Sequence, residues 1–383
     1  MASDPDVIYY NVSVFNNTRK KAVMKYEETR SGEVLANPSK YQVAVARFNV
    51  PGTVIPISIF DHDQVLFVRL TWDDCDVAQQ VAYIDRRSPG ARPPTYENAI
   101  YSIDGWMDII NFAYIMALQK LIQECPTFPP TDDDGNPILV GPPIFSFDSE
   151  TQLISIFCET QWYVPNPLSP NTPHMGVQMN LGLYSKFATF DSHAVENVTI
   201  TVYPSTVIEE SFQEITIRRK IAQSSTVPTG YTKTTQESIS LSLFNDAHTI
   251  VFQSSSLPIS TEFLPADDDN RNVTRAILTD FLIPEGINDR SDIQYAGSGL
   301  ELRWIDMNSE VPLRTIDIAG YWMAKDQKLN PLFIPPYDLF TCKLAFRLKP
   351  CYAEKRERHT IKYSINEKKP VEEENDQEKN DIK

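Results

Sequence analysis

The chain reads as an all-β protein, an antiparallel sandwich or barrel with one packed helix. Three observations predict this. From about residue 195 to 349 the sequence is a train of short segments, Val195–Tyr203, Val207–Arg218, Ser238–Phe244, Thr249–Gln253, Val273–Ile283, Gly299–Met307, Leu313–Trp322 and Leu339–Leu348. Turn residues separate them, among them Pro204-Ser205, Asn245-Asp246, Pro284-Glu285-Gly286 and Pro335-Pro336, which is the pattern of strands joined by tight connections. A single stretch in the chain carries a convincing helical period.

The elements follow in order. Residues 7–15 (VIYYNVSVF) and 41–50 (YQVAVARFNV) alternate enough to be strands, and Gln64–Trp72 and Ala78–Ile84 follow them. A loop dense in Pro, Gly and Arg spans Asp85–Thr95. The helix is predicted from about Ile103 to Gln123, because Ile103, Trp106, Met107, Ile110, Ala113, Tyr114, Ala117, Leu118, Leu121 and Ile122 recur at i, i+3, i+4. Ser102 or Asp104 can cap its start, and Pro126 stands just past its end. Ile109, Phe112 and Ile115 widen the apolar stripe, as suits a helix packed across a sheet; its polar face holds Asp104, Asp108, Glu124 and Lys120, unlike the Lys/Arg-rich face of a membrane-surface helix. Pro126–Pro143 is an acidic, proline-rich loop. Ile144–Phe147 and Leu153–Cys158 then form a hairpin about Asp148-Ser149-Glu150-Thr151, and 177–190 reads equally as helix or strand. These readings divide the chain into N-terminal strands (1–100), a helix-containing insertion with a hairpin (101–194), C-terminal sandwich strands (195–351) and a charged tail (352–383) expected to be disordered.

Bulk composition bounds the function. The chain has 383 residues, 42% of them apolar, enough for one large β domain with insertions or for two domains. Proline outnumbers glycine, 28 to 13, which favours stiff loops over flexible linkers. The formal charge of −16 makes the body a poor partner for nucleic acid, and no Lys/Arg stripe with interleaved aromatics stands in the sequence. Five cysteines (Cys75, Cys125, Cys158, Cys342, Cys351), an odd number without a C-x-x-C, argue for reduced thiols rather than a disulfide framework or zinc knuckle. The N-terminus lacks the basic and apolar regions of a signal peptide, and no apolar run is long enough for a transmembrane helix.

A search for chemistry finds little. None of the five histidines has a partner at metal-ligand spacing, and Asp61-His62-Asp63 reads as a surface turn. Asp132-Asp133-Asp134-Gly135-Asn136 opens like a calcium loop, but Pro137 and Pro143 occupy the sixth and twelfth positions. Asp267-Asp268-Asp269-Asn270 is a similar acidic loop. Serines cluster at Ser224–Ser225 and Ser254–Ser256 with no assignable His and Asp, and no nucleophile elbow, Walker loop or dinucleotide fingerprint occurs. No catalytic residue, metal site or cofactor is therefore expected. One short motif carries a mechanism: Arg92-Pro93-Pro94-Thr95-Tyr96 contains P-P-x-Y, whose prolines favour the polyproline II form that WW domains grip, with the tyrosine in a second pocket. Pro93, Pro94 and Tyr96 are thus the candidate partner-binding residues; the plainer reading is a proline-stiffened loop before the helix.

Several segments carry a family resemblance: Tyr9-Tyr10-Asn11-Val12-Ser13-Val14, Asn37–Pro51, Pro143–Asp148 with Leu153-Ile154-Ser155, His248–Gln253, Leu278–Phe281, Leu302–Met307 and Pro312–Asp317 with Tyr321-Trp322. In this order the chain resembles capsid proteins of small eukaryotic DNA viruses, the Polinton-like, adinto-like and virophage-like group, and is most similar to their penton, or vertex, proteins. The resemblance covers most of residues 7–349. It implies a jelly-roll subunit with an inserted or second β domain, a homopentamer at the fivefold vertex, other capsid proteins as partners and location in the virion. P-P-x-Y motifs in related adenovirus penton bases imply a host WW-domain partner. The chain length also suits a double-jelly-roll major capsid protein. A β-sandwich module binding a receptor or carbohydrate is the alternative of another class, with Trp162, Tyr163 and Trp304 as candidate contact aromatics; an enzyme on a β scaffold would need a buried dyad in a cleft.

Overall fold

The computed structural model describes residues 7–19, 22–52, 55–60, 65–82, 98–166, 168–169, 172–202, 206–218, 229–238, 243–264, 273–283, 292–297, 302–325 and 328–350. The expectations placed on residues 61–63, 85–95, 224–225, 267–270, Cys351 and the 352–383 tail lie outside or largely outside them. The principal elements are β1 (Val7–Phe15), β2 (Lys25–Thr29), β3 (Tyr41–Val50), β4 (Phe67–Trp72), β5 (Cys75–Gln80), α1 (Ile103–Glu124), β6 (Ile144–Asp148), β7 (Leu153–Glu159), β8 (Met175–Asn180), β9 (Ser192–Val202), β10 (Thr206–Ile215), β11 (Tyr231–Thr235), β12 (Ala247–Gln253), β13 (Ile277–Leu282), β14 (Ile293–Ala296), β15 (Thr315–Ala324) and β16 (Leu339–Leu348).

Eight of these strands make a jelly roll. One sheet has the order β1-β16-β3-β14 and the other β13-β12-β15-β2, all antiparallel. Counted along the roll alone, the orders are 1-8-3-6 and 5-4-7-2, so strands pair first with last and inwards from there, as two interlocked Greek keys require. The period of two explains the layering. Tyr10 and Val12 of β1, Phe340, Cys342, Leu344 and Phe346 of β16, and Val43, Val45, Phe48 and Val50 of β3 point into one core with Ile250, Phe252, Ile316, Ile318 and Trp322 of the facing sheet. An aromatic cluster anchors one end, with Phe48 4.6 Å from Phe281 and Phe281 4.4 Å from Tyr295 between ring centroids. Each such buried side chain contributes about 1.5–3 kcal/mol.

The second core lies wholly between β3 and β12. Its residues run from Ile57 to Phe244, whereas the roll core draws on 10–55 and 247–346. Helix α1 packs between a five-stranded sheet, β9-β10-β8-β4-β5, and a three-stranded sheet, β11-β7-β6. Tyr114 joins all three: it is fully buried, its hydroxyl donates to the Gln178 carbonyl of β8 at 3.0 Å, and its ring stacks on Phe145 of β6 at 5.4 Å. Ser102 caps the helix, its hydroxyl accepting from Gly105 N at 3.1 Å. The helix is the predicted one, extended by a single residue to Glu124.

β4, β5, β9 and β10 hydrogen-bond into the sheet that covers α1, so this second core draws on residues 57–244; a local pattern cannot say which strands pair. One expectation needs correction. Cys75 and Cys125 form a disulfide, with Cα atoms 5.8 Å apart, where reduced thiols were expected; the β4–β5 turn and the end of α1 bring together residues 50 apart in sequence. Cys158 and Cys342 are buried free thiols. The ambiguous 177–190 stretch resolves into the end of β8 followed by a short helix, Leu181–Tyr184.

The two chain crossings into the insertion are tied together. Asp246 N donates to the Ile57 carbonyl, and the Ser58 hydroxyl donates to the Asp246 carboxylate. Lys186, nearly buried against the Trp106 ring, reaches the same carboxylate at 3.6 Å. Burial lowers the Lys186 pKa while Asp246 opposes that shift.

Candidate assembly surface

The Ser254–Ser256 cluster is a structural clamp. The Asp317 carboxylate, 4% exposed, accepts from the hydroxyls of Ser254 and Ser255 and from the backbone N–H groups of Ser255 and Ser256. Asp317 N in turn donates to Ser256 Oγ at 2.9 Å. The result fixes the chain leaving β12 against β15. No histidine belongs to it: His248 Nδ1 lies 2.7 Å from the hydroxyl of its own neighbour, Thr249. Burial by itself would raise the Asp317 pKa, but the serine hydrogen bonds outweigh it and hold the carboxyl well below the usual range.

A second cluster closes the open side of the sandwich. Tyr10 of β1 and Tyr26 of β2 both donate to the Glu28 carboxylate, and Arg30 bonds the other Glu28 oxygen at 3.1 Å while lying 4.9 Å from the Tyr10 ring. The two edge strands thus share one ionised group. The two phenol hydrogen bonds, Tyr10 first, bring the Glu28 pKa down to about 2.

The acidic loop that opens like a calcium site satisfies itself. Asp132 Oδ1 accepts from the backbone N–H of Asp134 and Asn136, at 3.0 and 2.7 Å, so the carboxylate holds its own turn. Among the described residues, no three His, Cys, Asp or Glu side chains cluster as metal ligands, and no helix is long and apolar enough to cross a membrane.

The aromatic candidates do not form one exposed set. Tyr163 is buried with its hydroxyl on the Gly141 carbonyl, Trp162 packs edge-on against Trp72, and Trp304 lies under the Arg347 guanidinium. Pro93, Pro94 and Tyr96 lie outside the described residues. What the surface does offer is apolar area on an open edge. Among the described residues β1 is an edge strand with no partner on its outer side, and it exposes Ile8, Tyr9 and Phe15, the last 58% exposed opposite Leu339. On the insertion, Phe112, Ile115 and Ile122 form a stripe along the outward side of α1. Sequence periodicity finds that stripe but cannot tell that it stays uncovered.

Comparisons with known proteins agree on one group. The family described as Sputnik minor capsid protein V18/19 matches residues 8–66 and 77–348. "Structural protein V19" of Sputnik virophage is 27% identical over 208 residues, covering 53% of this chain and 92% of that protein. Among solved structures, a chain of the 3.5 Å cryo-EM structure of the Sputnik virophage aligns with a TM-score of 0.68 and 21% identity, covering 91% of this chain and 99% of that one. The mavirus penton protein aligns with a TM-score of 0.61 and 16% identity, covering 90% and 99%.

Proposed function

Because the chain belongs to the Sputnik minor capsid protein V18/19 family, a family of structural virion proteins, we propose that it is the vertex subunit of an icosahedral shell, with five copies closing one ring. The observation that carries this reading is the roll itself: one eight-stranded jelly roll with a single large insertion, in a chain that aligns with 99% of the mavirus penton protein. A double-jelly-roll subunit would repeat the roll, and here the insertion is instead a helix between a five-stranded and a three-stranded sheet. A ring of identical subunits needs head-to-tail contacts between unlike surfaces. The β1 edge with Ile8 and Phe15 supplies one such surface and the α1 stripe another. On this reading the protein works by touching copies of itself and other capsid proteins, and it transforms no substrate.

The test is mass in solution by light scattering together with negative-stain imaging of the full chain. Fivefold rings are the expected result. Trimers would move the assignment to a major capsid protein, and a persistent monomer at high concentration would overturn it.

A further inference from the structure

Cations distant in sequence converge on the outward face of the β1-β16-β3-β14 sheet. Side chains alternate along these strands, so Arg47 of β3 and Lys343 and Arg347 of β16 all point away from the core. Lys349 follows directly. The four strands contain no Asp or Glu, in a chain of net charge −16. Asp306, in the short segment paired to β3, pairs with Lys349 at 3.5 Å, and Asp292 and Asp338 stand just before β14 and β16.

Part of this charge is compensated: Arg347 Nε donates to Gln42 Oε1 at 2.9 Å, and Gln42 Nε2 donates to Asp306 Oδ1 at 2.7 Å, which leaves Arg47 and Lys343. Lys343 and Arg47 stand directly opposite each other in the β16–β3 register, and like charges in that position repel. Among the described residues neither has an acidic partner. Instead, Lys343 lies 5.0 Å from the Tyr9 ring and Arg347 4.1 Å from the Trp304 ring. Tyr9, Ala345 and Ala44 stand in one cross-strand row. The rings serve as rests for cations, so they are not free platforms for stacked bases. That distinction separates a backbone-binding face from a single-strand stacking surface.

We propose that this sheet face binds the phosphate backbone of duplex nucleic acid. Arg47 and Lys343, in one cross-strand row with Asn11, suit sequence-independent phosphate contact. The acidic net charge of the molecule would favour turning this face towards a polyanion. The inference goes beyond the vertex assignment and does not depend on the number of subunits.

The experiment is fluorescence anisotropy of a labelled 24-base-pair DNA duplex with the full-length protein, titrated across salt. Wild type is compared with Arg47→Glu/Lys343→Glu and with the milder Arg47→Ala/Lys343→Ala. Oligomeric state is followed in parallel by light scattering. Charge reversal is expected to weaken binding by about tenfold or more and to flatten the log–log salt slope by roughly 2, as loss of two phosphate contacts requires. The alanine pair should show the same slope change with a folded, unaltered oligomer. Three outcomes overturn the proposal: no salt-dependent binding by wild type, binding unaffected by either double variant, or a changed oligomer with unchanged DNA binding, which would make the face a subunit contact.

Discussion

Ser255 donates both its backbone N–H and its hydroxyl to one carboxylate, that of Asp317, at 2.9 and 2.6 Å. Ser254 and Ser256 complete the same cradle, so a buried carboxylate is held by a three-residue turn. Removing the acceptor leaves several buried donors empty. Asp317→Ala is expected to destabilise the protein by about 3 kcal/mol, measured by chemical denaturation. The pH dependence follows from the depressed pKa: the contribution is present above the unfolded aspartate value of about 3.9 and is lost as pH falls through the lower folded value. The Asp317→Ala variant should therefore lose less stability than wild type on acidification.

Glu28 is predicted to titrate at about 2, visible by carbon-detected NMR of its carboxyl. Its folded pKa is lowered, so its contribution to stability is complete above the unfolded glutamate value and fades as pH drops towards 2. Tyr10→Phe removes the larger of the two phenol hydrogen bonds and should move the titration up towards the ordinary range. An unchanged titration would mean that the two edge strands are not joined through this group.

The Cys75–Cys125 bond closes a loop spanning 50 residues that includes all of α1. Cys75→Ser, or reduction, is expected to cost about 2–4 kcal/mol, chiefly by freeing the unfolded chain. Intact mass under denaturing, non-reducing conditions should lie two hydrogens below the fully reduced mass. Free-thiol counting that finds all five cysteines reactive would contradict the pairing.

Asn111 acts as a substitute strand. Its side-chain amide donates to the Phe145 carbonyl at 2.9 Å and its oxygen accepts from Phe145 N at 2.7 Å, capping β6 from the helix. Asn111→Ala should cost about 1–3 kcal/mol by leaving that backbone pair without partners. Hydrogen exchange at the Phe145 amide should rise selectively.

For the P-P-x-Y motif, the expected outcome is capture of the full-length protein by an immobilised WW domain, lost on Tyr96→Ala. Equal recovery of both forms would return Pro93, Pro94 and Tyr96 to the role of a stiff loop.

By itself the sequence determined the strand content, the position and cap of α1, the 144–158 hairpin and the kinship with capsid proteins, because alternation, helical period and turn residues are local signals. It did not reveal β2, whose sequence KYEET lies on a half-wet edge with no apolar alternation, nor β11, YTKTT. Only the tertiary structure decided that residues 57–244 share one core, that Cys75 meets Cys125, that Asp317 holds three serines, and that Arg47 faces Lys343. Each of these is a juxtaposition across tens to hundreds of residues. Such contacts are set by which strands share backbone hydrogen bonds, and in a jelly roll the first strand pairs with the last.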